Sequence, residues 1–354
     1  MIKKNRTKII GILAGAHPAH VEIFGRFTNS LFFVLGPWAP GRKLNPLWNL
    51  IRYIFAGFRV ALFNRPRVVF IEGASPSSII APILRIFLPQ VTIFALVAED
   101  IFYKALQNLM EPRSILVRFG FKKVDYVISI GQMLAEQVKE VFPKKRVFVM
   151  YPKINVERLR QLTSIQYNPD APFFLQIGGG NPYYKGVDIT VSLLSTIKEI
   201  NPRADLVILG YDAKSLEWDT DKLVFPGRVS NIGNYLSQSC LMIHPGRSDA
   251  FPVATLESMA AGVPPMVSDL TGTKELIAKV NPELVRSLET RDFQNGLCWF
   301  AQLSPEEKLK LSQKCREIVL QFLEIDLPSK NKQSIEAIEK IIRDLALGDR
   351  EKSN

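Results

Sequence analysis

Histidine and cysteine are scarce in this chain, three of each in 354 residues, and that scarcity removes several chemistries at once. Cys240, Cys298 and Cys315 have neither paired zinc spacing nor the even number of a disulfide framework. The sequence therefore implies a reducing compartment and no metal site built on cysteine. His17 and His20 share a helical face, but no third ligand stands close by in sequence, so they do not make a metal centre. Long apolar runs are missing too. Candidates near 27–40 and 86–98 are short and broken by proline, which argues against a transmembrane helix. The opening MIKKNRTK followed by IIGILAGA is too short in its apolar part for a secretory leader; His17, His20 and Glu22 follow at once, as in a first strand and its loop.

Acidic residues are absent from 41–67, GRKLNPLWNLIRYIFAGFRVALFNRPR, which carries six arginines and lysines among many large apolar side chains. The imbalance belongs to the first half of the chain. Residues 1–150 hold 21 Lys and Arg against 8 Asp and Glu, whereas 151–354 hold 24 against 26, within a formal net charge of +11. Such a field suits an anionic membrane surface or a phosphorylated acceptor; nucleic acid is excluded because no reading module accompanies the charge. Two readings of 41–67 stand side by side. Either the helix lies on a membrane with its arginines at anionic headgroups, or it packs on a core while the arginines stay wet.

What is present is a chain that is 47% apolar and long enough for two hydrophobic cores. Strands are predicted at 8–13, 68–71, 91–97, 126–130 and 147–150, then at 172–177, 206–209, 223–225, 240–243 and 263–267, separated by stretches of helical length. That alternation predicts α/β architecture with parallel sheets. The polar stretch 161–171 divides it into a first domain over 1–168 and a second over 169–325, followed by a terminal helix and tail over 326–354. Pro328 is expected to break the helix of 306–324 before the last one, 332–347.

Loops beyond predicted strands hold the candidate chemistry. Gly15 and His17 follow the first strand without the dinucleotide fingerprint, and Glu99-Asp100 follows the third. Gly178-Gly179-Gly180 precedes Lys185-Gly186, a loop able to approach an anion closely, although it lacks the Gly-Lys-Ser/Thr ending of a Walker loop. In the stretch 240–276 a strand delivers His244-Pro245, Pro252 opens a helix and Gly262 closes it, with Asp249 and Glu257 bracketing the helix entrance.

That stretch resembles the donor-binding motif of the retaining, nucleotide-sugar-dependent glycosyltransferases of family 4. The likeness rests on Asp249 and Glu257 with seven residues between them, on His244-Pro245, Phe251, the run Glu257 to Ala260, Gly262-Val263-Pro264 and Ser268-Asp269. It implies a GT-B fold: two facing Rossmann-like domains and a C-terminal crossover helix, the first domain on the acceptor side and the second binding the nucleotide sugar. It also implies donor binding by Gly15, Gly179, Gly180, Lys185, Arg228, Asp249, Ala250, Phe251 and Glu257. Within that set Lys185 stabilises the departing diphosphate, Asp249 positions sugar hydroxyls and Glu257 takes the ribose, so Lys185 and Asp249 are the catalytic candidates. His17, Glu99 and Asp100 fall on the acceptor or sugar side, with Glu99 where the family has His. Gly180 stands where an Arg is common, and Arg228 and Arg247 are candidate substitutes.

No metal and no cofactor are expected, because the UDP- or GDP-linked sugar is a substrate and Lys185 with backbone amides supplies positive charge. The resemblance further implies transfer to an acceptor hydroxyl with net retention. The basic first half admits a lipid-linked or phosphorylated acceptor, and places the enzyme in the cytoplasm or peripherally on the cytoplasmic face of a membrane. Two alternatives remain: another GT-B activity, epimerase or phosphorylase-like, and a noncatalytic carbohydrate- or lipid-binding protein.

Overall fold

The computed structural model describes residues 8–14, 17–28, 31–35, 46–73, 76–98, 112–152, 154–212 and 223–351. They form two compact units, Met1–Lys153 with Pro328–Asn354, and Ile154–Leu327. The sequence reading places residues 154–168 with the first domain. The structure groups them with the second unit, because the helix Val156–Thr163 buries Leu159 and Leu162 there and packs on the helix Val253–Ala260.

The first unit is built on six parallel strands: β1 (Ile9–Leu13), β2 (Phe32–Val34), β3 (Val68–Glu72), β4 (Thr92–Val97), β5 (Tyr126–Ser129) and β6 (Arg146–Val149), in the order β2-β1-β3-β4-β5-β6. Every residue of β4 is buried, as expected of an inner parallel strand covered on both faces. A ladder of rings crosses the sheet: Phe27 lies 5.2 Å from Phe70, Phe70 4.8 Å from Phe94, and Phe94 4.9 Å from Tyr126. The terminal helix, Leu327–Glu351, adds Ile338 to this core; its Ser334 hydroxyl donates to the Val149 carbonyl at 2.6 Å. Asn331 bonds the Tyr151 main chain in both directions, so this helix is fastened to the end of β6.

Pro328 does not break the helical run. A π-turn over Phe322–Asp326 joins the helix Pro305–Gln321 to the terminal one, and Leu327 N–H reaches back to the Phe322 carbonyl. The wide turn takes up the residue that a proline without an N–H would otherwise dislocate.

The helix Pro46–Arg59 and a following π-turn, Val60–Asn64, make up most of the described part of 41–67. The core-packing reading describes one face of it. Tyr53, Ala56, Val60 and Ala61 are buried, and Gly57 sits against Ile83. Trp48, Ile51, Phe55, Phe58 and Leu62, spaced by three and four residues, are exposed along the other face, Phe55 by 67%. Among the described residues no helix is long and apolar enough to cross a membrane.

The second unit repeats the plan with β7 (Phe173–Ile177), β8 (Asp205–Leu209), β9 (Leu223–Gly227), β10 (Ser239–His244), β11 (Pro265–Ser268) and β12 (Val285–Arg286), again parallel, in the order β12-β11-β10-β7-β8-β9. The helix Val253–Ala260 ends as the sequence predicts. Gly262, at φ +79°, sends its N–H to the Met259 carbonyl while Val263 N–H reaches Ser258, a Schellman closure. Two edge strands, β2 and β12, have no counterpart in the sequence reading.

Candidate functional site

In each sheet the strand order reverses at one place, and there the chain leaves neighbouring strands in opposite directions and opens a crevice at their carboxyl ends. In the second unit that place is between β7, which continues to β8, and β10, which continues to β11. The loop after β7 carries Gly179, Gly180 and Lys185. Nothing lies within 4 Å of where a side chain would begin at Gly179 or Gly180. Gly186 is different: it adopts φ +67°, and a β-carbon there would stand 1.9 Å from the Pro245 carbonyl oxygen. The Gly-rich loop and the loop after β10 therefore meet main chain to main chain, a contact that only glycine allows.

That contact carries Lys185 to Asp249. The Lys185 ammonium donates to Asp249 Oδ2, which also lies 3.0 Å from Nε2 of the fully buried His244 at the end of β10. The Lys185 carbonyl accepts from Gln176 Nε2 at 2.8 Å, which fixes the base of the lysine. Burial raises the Asp249 carboxyl, but the His244 hydrogen bond and the Lys185 charge outweigh it and hold the group at about 2. Asp249 is thus held as a carboxylate beside the Lys185 side chain, where ligands enter folds of this kind.

Glu257 joins a different cluster. It is 11% exposed and pairs with Arg158 Nε at 2.8 Å; burial raises its carboxyl above the ordinary range, against the opposing pull of Arg158. Arg158 also lines a cavity of about 470 Å³ with Leu162, Ile165, Ser230, Asn231 and Gly233. Arg228 is exposed beyond β9. Arg247 is committed elsewhere: it grips both oxygens of Asp188 at 2.7 Å, donates to the Tyr183 carbonyl and lies 4.1 Å from the centre of the Tyr183 ring. It braces the Gly-rich loop and is a poor substitute for the cation missing at Gly180. Ala250 and Phe251 are buried, and the Phe251 ring faces Phe322 at 6.0 Å.

The crevice of the first unit lies between β1 and β3. Glu72, at the end of β3, accepts from Ala14 N–H at 2.7 Å and contacts His20 Nδ1 at 2.7 Å. The His17 ring lies 4.6 Å from that of His20, and burial, with His20 beside it, lowers the His17 pKa against the pull of Glu72. Gly15, Glu99 and Asp100 lie outside the described residues. Sequence reasoning missed Glu72, Arg158 and the bond from His244 to Asp249. Only Glu72 had a local signal, a carboxylate closing an apolar strand run. Among the described residues no group of three or more His, Cys, Asp or Glu side chains gathers as a metal site.

The family model described as glycosyl transferases group 1 matches residues 171–302, which take in the Gly-rich loop, Asp249 and Glu257. N-acetyl-alpha-D-glucosaminyl L-malate synthase of Bacillus anthracis is 25% identical over 177 residues, 46% of this chain and 46% of that protein. An uncharacterized glycosyltransferase of Methanocaldococcus jannaschii is 28% identical over 173 residues, 43% of this chain and 44% of that protein. The chain thus spans just under half the length of the curated relatives it matches. Among solved structures, Anabaena HepE in complex with UDP superposes over 94% of this chain and 100% of its own, with a TM-score of 0.67 at 13% identity. The fold is therefore that of the GT-B glycosyltransferases, two Rossmann-like units with a C-terminal helix, and the segment matched by the glycosyl transferases group 1 model lies in the second unit.

Proposed function

We propose that the protein is a retaining glycosyltransferase related to family 4, moving a sugar from a nucleotide-sugar donor to an acceptor hydroxyl. The observation that carries this reading is the Lys185, Asp249 and His244 cluster at the β7–β10 crevice, inside the segment matched by the family model. Lys185 offsets the charge that grows on the departing diphosphate, where a preplaced cation acts most strongly because it need not reorganise. Asp249, held ionised, accepts hydrogen bonds from sugar hydroxyls. Glu257 accepts from the ribose, and the cavity beside Arg158 takes the base. Backbone amides of the Gly-rich loop complete the charge compensation, with no step assigned to a metal ion.

Retention follows from departure and attack on one face. The bond from the anomeric carbon to the diphosphate oxygen breaks, the acceptor oxygen bonds to that carbon, and its proton passes to the departing phosphate. UDP is favoured over GDP as the carrier, because HepE was solved with UDP and with UDP-glucose. Calorimetric titration of the whole chain with UDP and GDP tests the donor half. The reading expects UDP to bind, Glu257→Gln to weaken it roughly 5- to 20-fold through the lost ribose contact, and GDP to bind less well. No nucleotide binding would reject it.

The same proposal places the enzyme on the cytoplasmic face of a membrane with a lipid-linked or phosphorylated acceptor. The exposed face of the helix Pro46–Arg59 supports this: Trp48 and Phe55 can enter an interface while Arg52 and Arg59 meet anionic headgroups. Co-sedimentation with anionic vesicles should be reduced by Arg52→Glu with Arg59→Glu, and UDP titration should not change. Wild-type protein that ignores such vesicles at low salt would remove the membrane part alone.

A further inference from the structure

At the opposite end of the first sheet, where β5 and β6 begin, lies a hollow of about 600 Å³. Arg85, Lys122, Lys123, Lys144, Lys145 and Arg146 line it, and Asp125 is its one carboxylate. That carboxylate is already engaged: Arg85 holds both of its oxygens at 2.7 and 2.8 Å, and Ile93 N–H donates to it at 2.8 Å.

The backbone acceptors near the hollow are taken up as well. Lys145 donates to the carbonyls of Val124 and Lys122, and Arg85 donates to that of Lys123 at 3.2 Å. Burial lowers the Lys145 pKa, consistent with an ammonium drawn in to serve the main chain. Carbonyl oxygens that would repel an anion are thereby covered from within. Lys122, Lys123, Lys144 and Arg146 remain exposed, the last with its guanidinium 5.0 Å from the centre of the Phe148 ring.

We propose that this hollow is an anion site for a ligand carrying two or more phosphate groups. Three separate chain segments bring cations to it, and its volume exceeds that of a single phosphate. Phosphate oxygens take charge-assisted hydrogen bonds from ammonium and guanidinium groups alike. The site stands at the amino ends of the strands, away from the carboxyl-end crevice, and does not depend on the sugar-transfer reading. A second hollow, lined by Arg65, Arg67 and Phe87, shares its wall, since Arg85 donates to the carbonyls of Pro89 and Val91, which line that one. Phe63, 81% exposed, and Ile86, 73% exposed, belong to the same region of the chain, so the phosphates could be borne by a lipid headgroup as well as by a soluble molecule.

The test uses the whole chain and two probes at an ionic strength of about 0.15 M, where long-range attraction is screened. Inositol hexakisphosphate is titrated calorimetrically, and vesicles containing phosphatidylinositol bisphosphate are compared with phosphatidylserine vesicles of equal surface charge. The variant Lys122→Ala, Lys123→Ala, Lys144→Ala is set against a charge-matched control, Lys332→Ala, Lys340→Ala, Arg343→Ala, with melting temperatures recorded for both. Lys122→Gln alone supplies a graded loss should the triple variant melt early.

If the ligand is soluble, the hexakisphosphate binds wild type and control alike, and the hollow variant loses about 10- to 100-fold in affinity. If it is a lipid, only the phosphatidylinositol bisphosphate vesicles are retained, with the same dependence on the hollow. No binding of either probe, or an equal loss in both triple variants, would overturn the site and leave a diffuse basic field.

Discussion

The two carboxyl-end crevices of this molecule share a topology and part of a chemistry, and they differ by one lysine. In the first unit Glu72 is held between Ala14 N–H and His20; in the second Asp249 is held between His244 and Lys185. Both are carboxylates set against a histidine where the strand order reverses. The lysine makes the second a compact pair of opposite charges. The first has a neighbouring histidine instead, His17, whose charged form is disfavoured by burial. In the proposed reading, the same parallel-sheet plan serves a departing anion in one unit and a neutral acceptor hydroxyl in the other.

Lys185→Ala makes the second crevice resemble the first, and it carries the largest expected effect. Turnover with the true donor should fall roughly 10- to 1000-fold, because the charge matters most as the diphosphate leaves. Unchanged turnover in a steady-state assay would mean that the difference between the crevices has no catalytic meaning.

Glu72→Gln tests the other side. It keeps the shape of the side chain while replacing an acceptor-only group by an amide, so the His20 ring loses a charged partner. The expectation is a rise in acceptor KM or a fall in kcat of about 10-fold, with UDP affinity unchanged by calorimetry. Weakened UDP binding would show that the first crevice is not specific to the acceptor.

A smaller effect concerns stability against pH. The folded Asp249 carboxyl, held at about 2, lies below its unfolded value, so its contribution is complete above pH 4 and is lost as pH falls toward 2. Across that window the unfolded chain binds more protons and stability rises with pH. Asp249→Asn should flatten the rise by up to one proton, a difference of order 2 kcal/mol between the ends of the window. Denaturant melts at several pH values measure it; identical slopes in the two proteins would show that the carboxylate is not held ionised.

Legibility in the sequence followed burial and locality. Inner parallel strands such as β4 and β10 are covered on both faces and read as continuous apolar runs. The edge strands β2 and β12 are three and two residues long and only partly buried, too short for any period to show. Lys185, Asp249 and Glu257 could be found because their loops carry glycine, proline and acidic spacing within short stretches. Arg158 could not, because its partner lies on a distant helix and the polar stretch 161–171 suggested a domain boundary on the wrong side of it. The reach from His20 to Glu72 spans 52 residues and appears only when β1 and β3 pair. Pro328 misled for the opposite reason: its local signal was real, and a π-turn absorbed it.

The most direct measurement is a mass-resolved screen of the whole chain with several nucleotide sugars and native lipid extracts, read for product and released nucleotide together. Sugar transfer predicts a product heavier than its acceptor by one glycosyl residue, one nucleoside diphosphate released per product, and the anomeric configuration of the donor kept when the linkage is read by NMR. A free epimer, a sugar phosphate, or UDP binding with no mass-shifted product across all donors would contradict it.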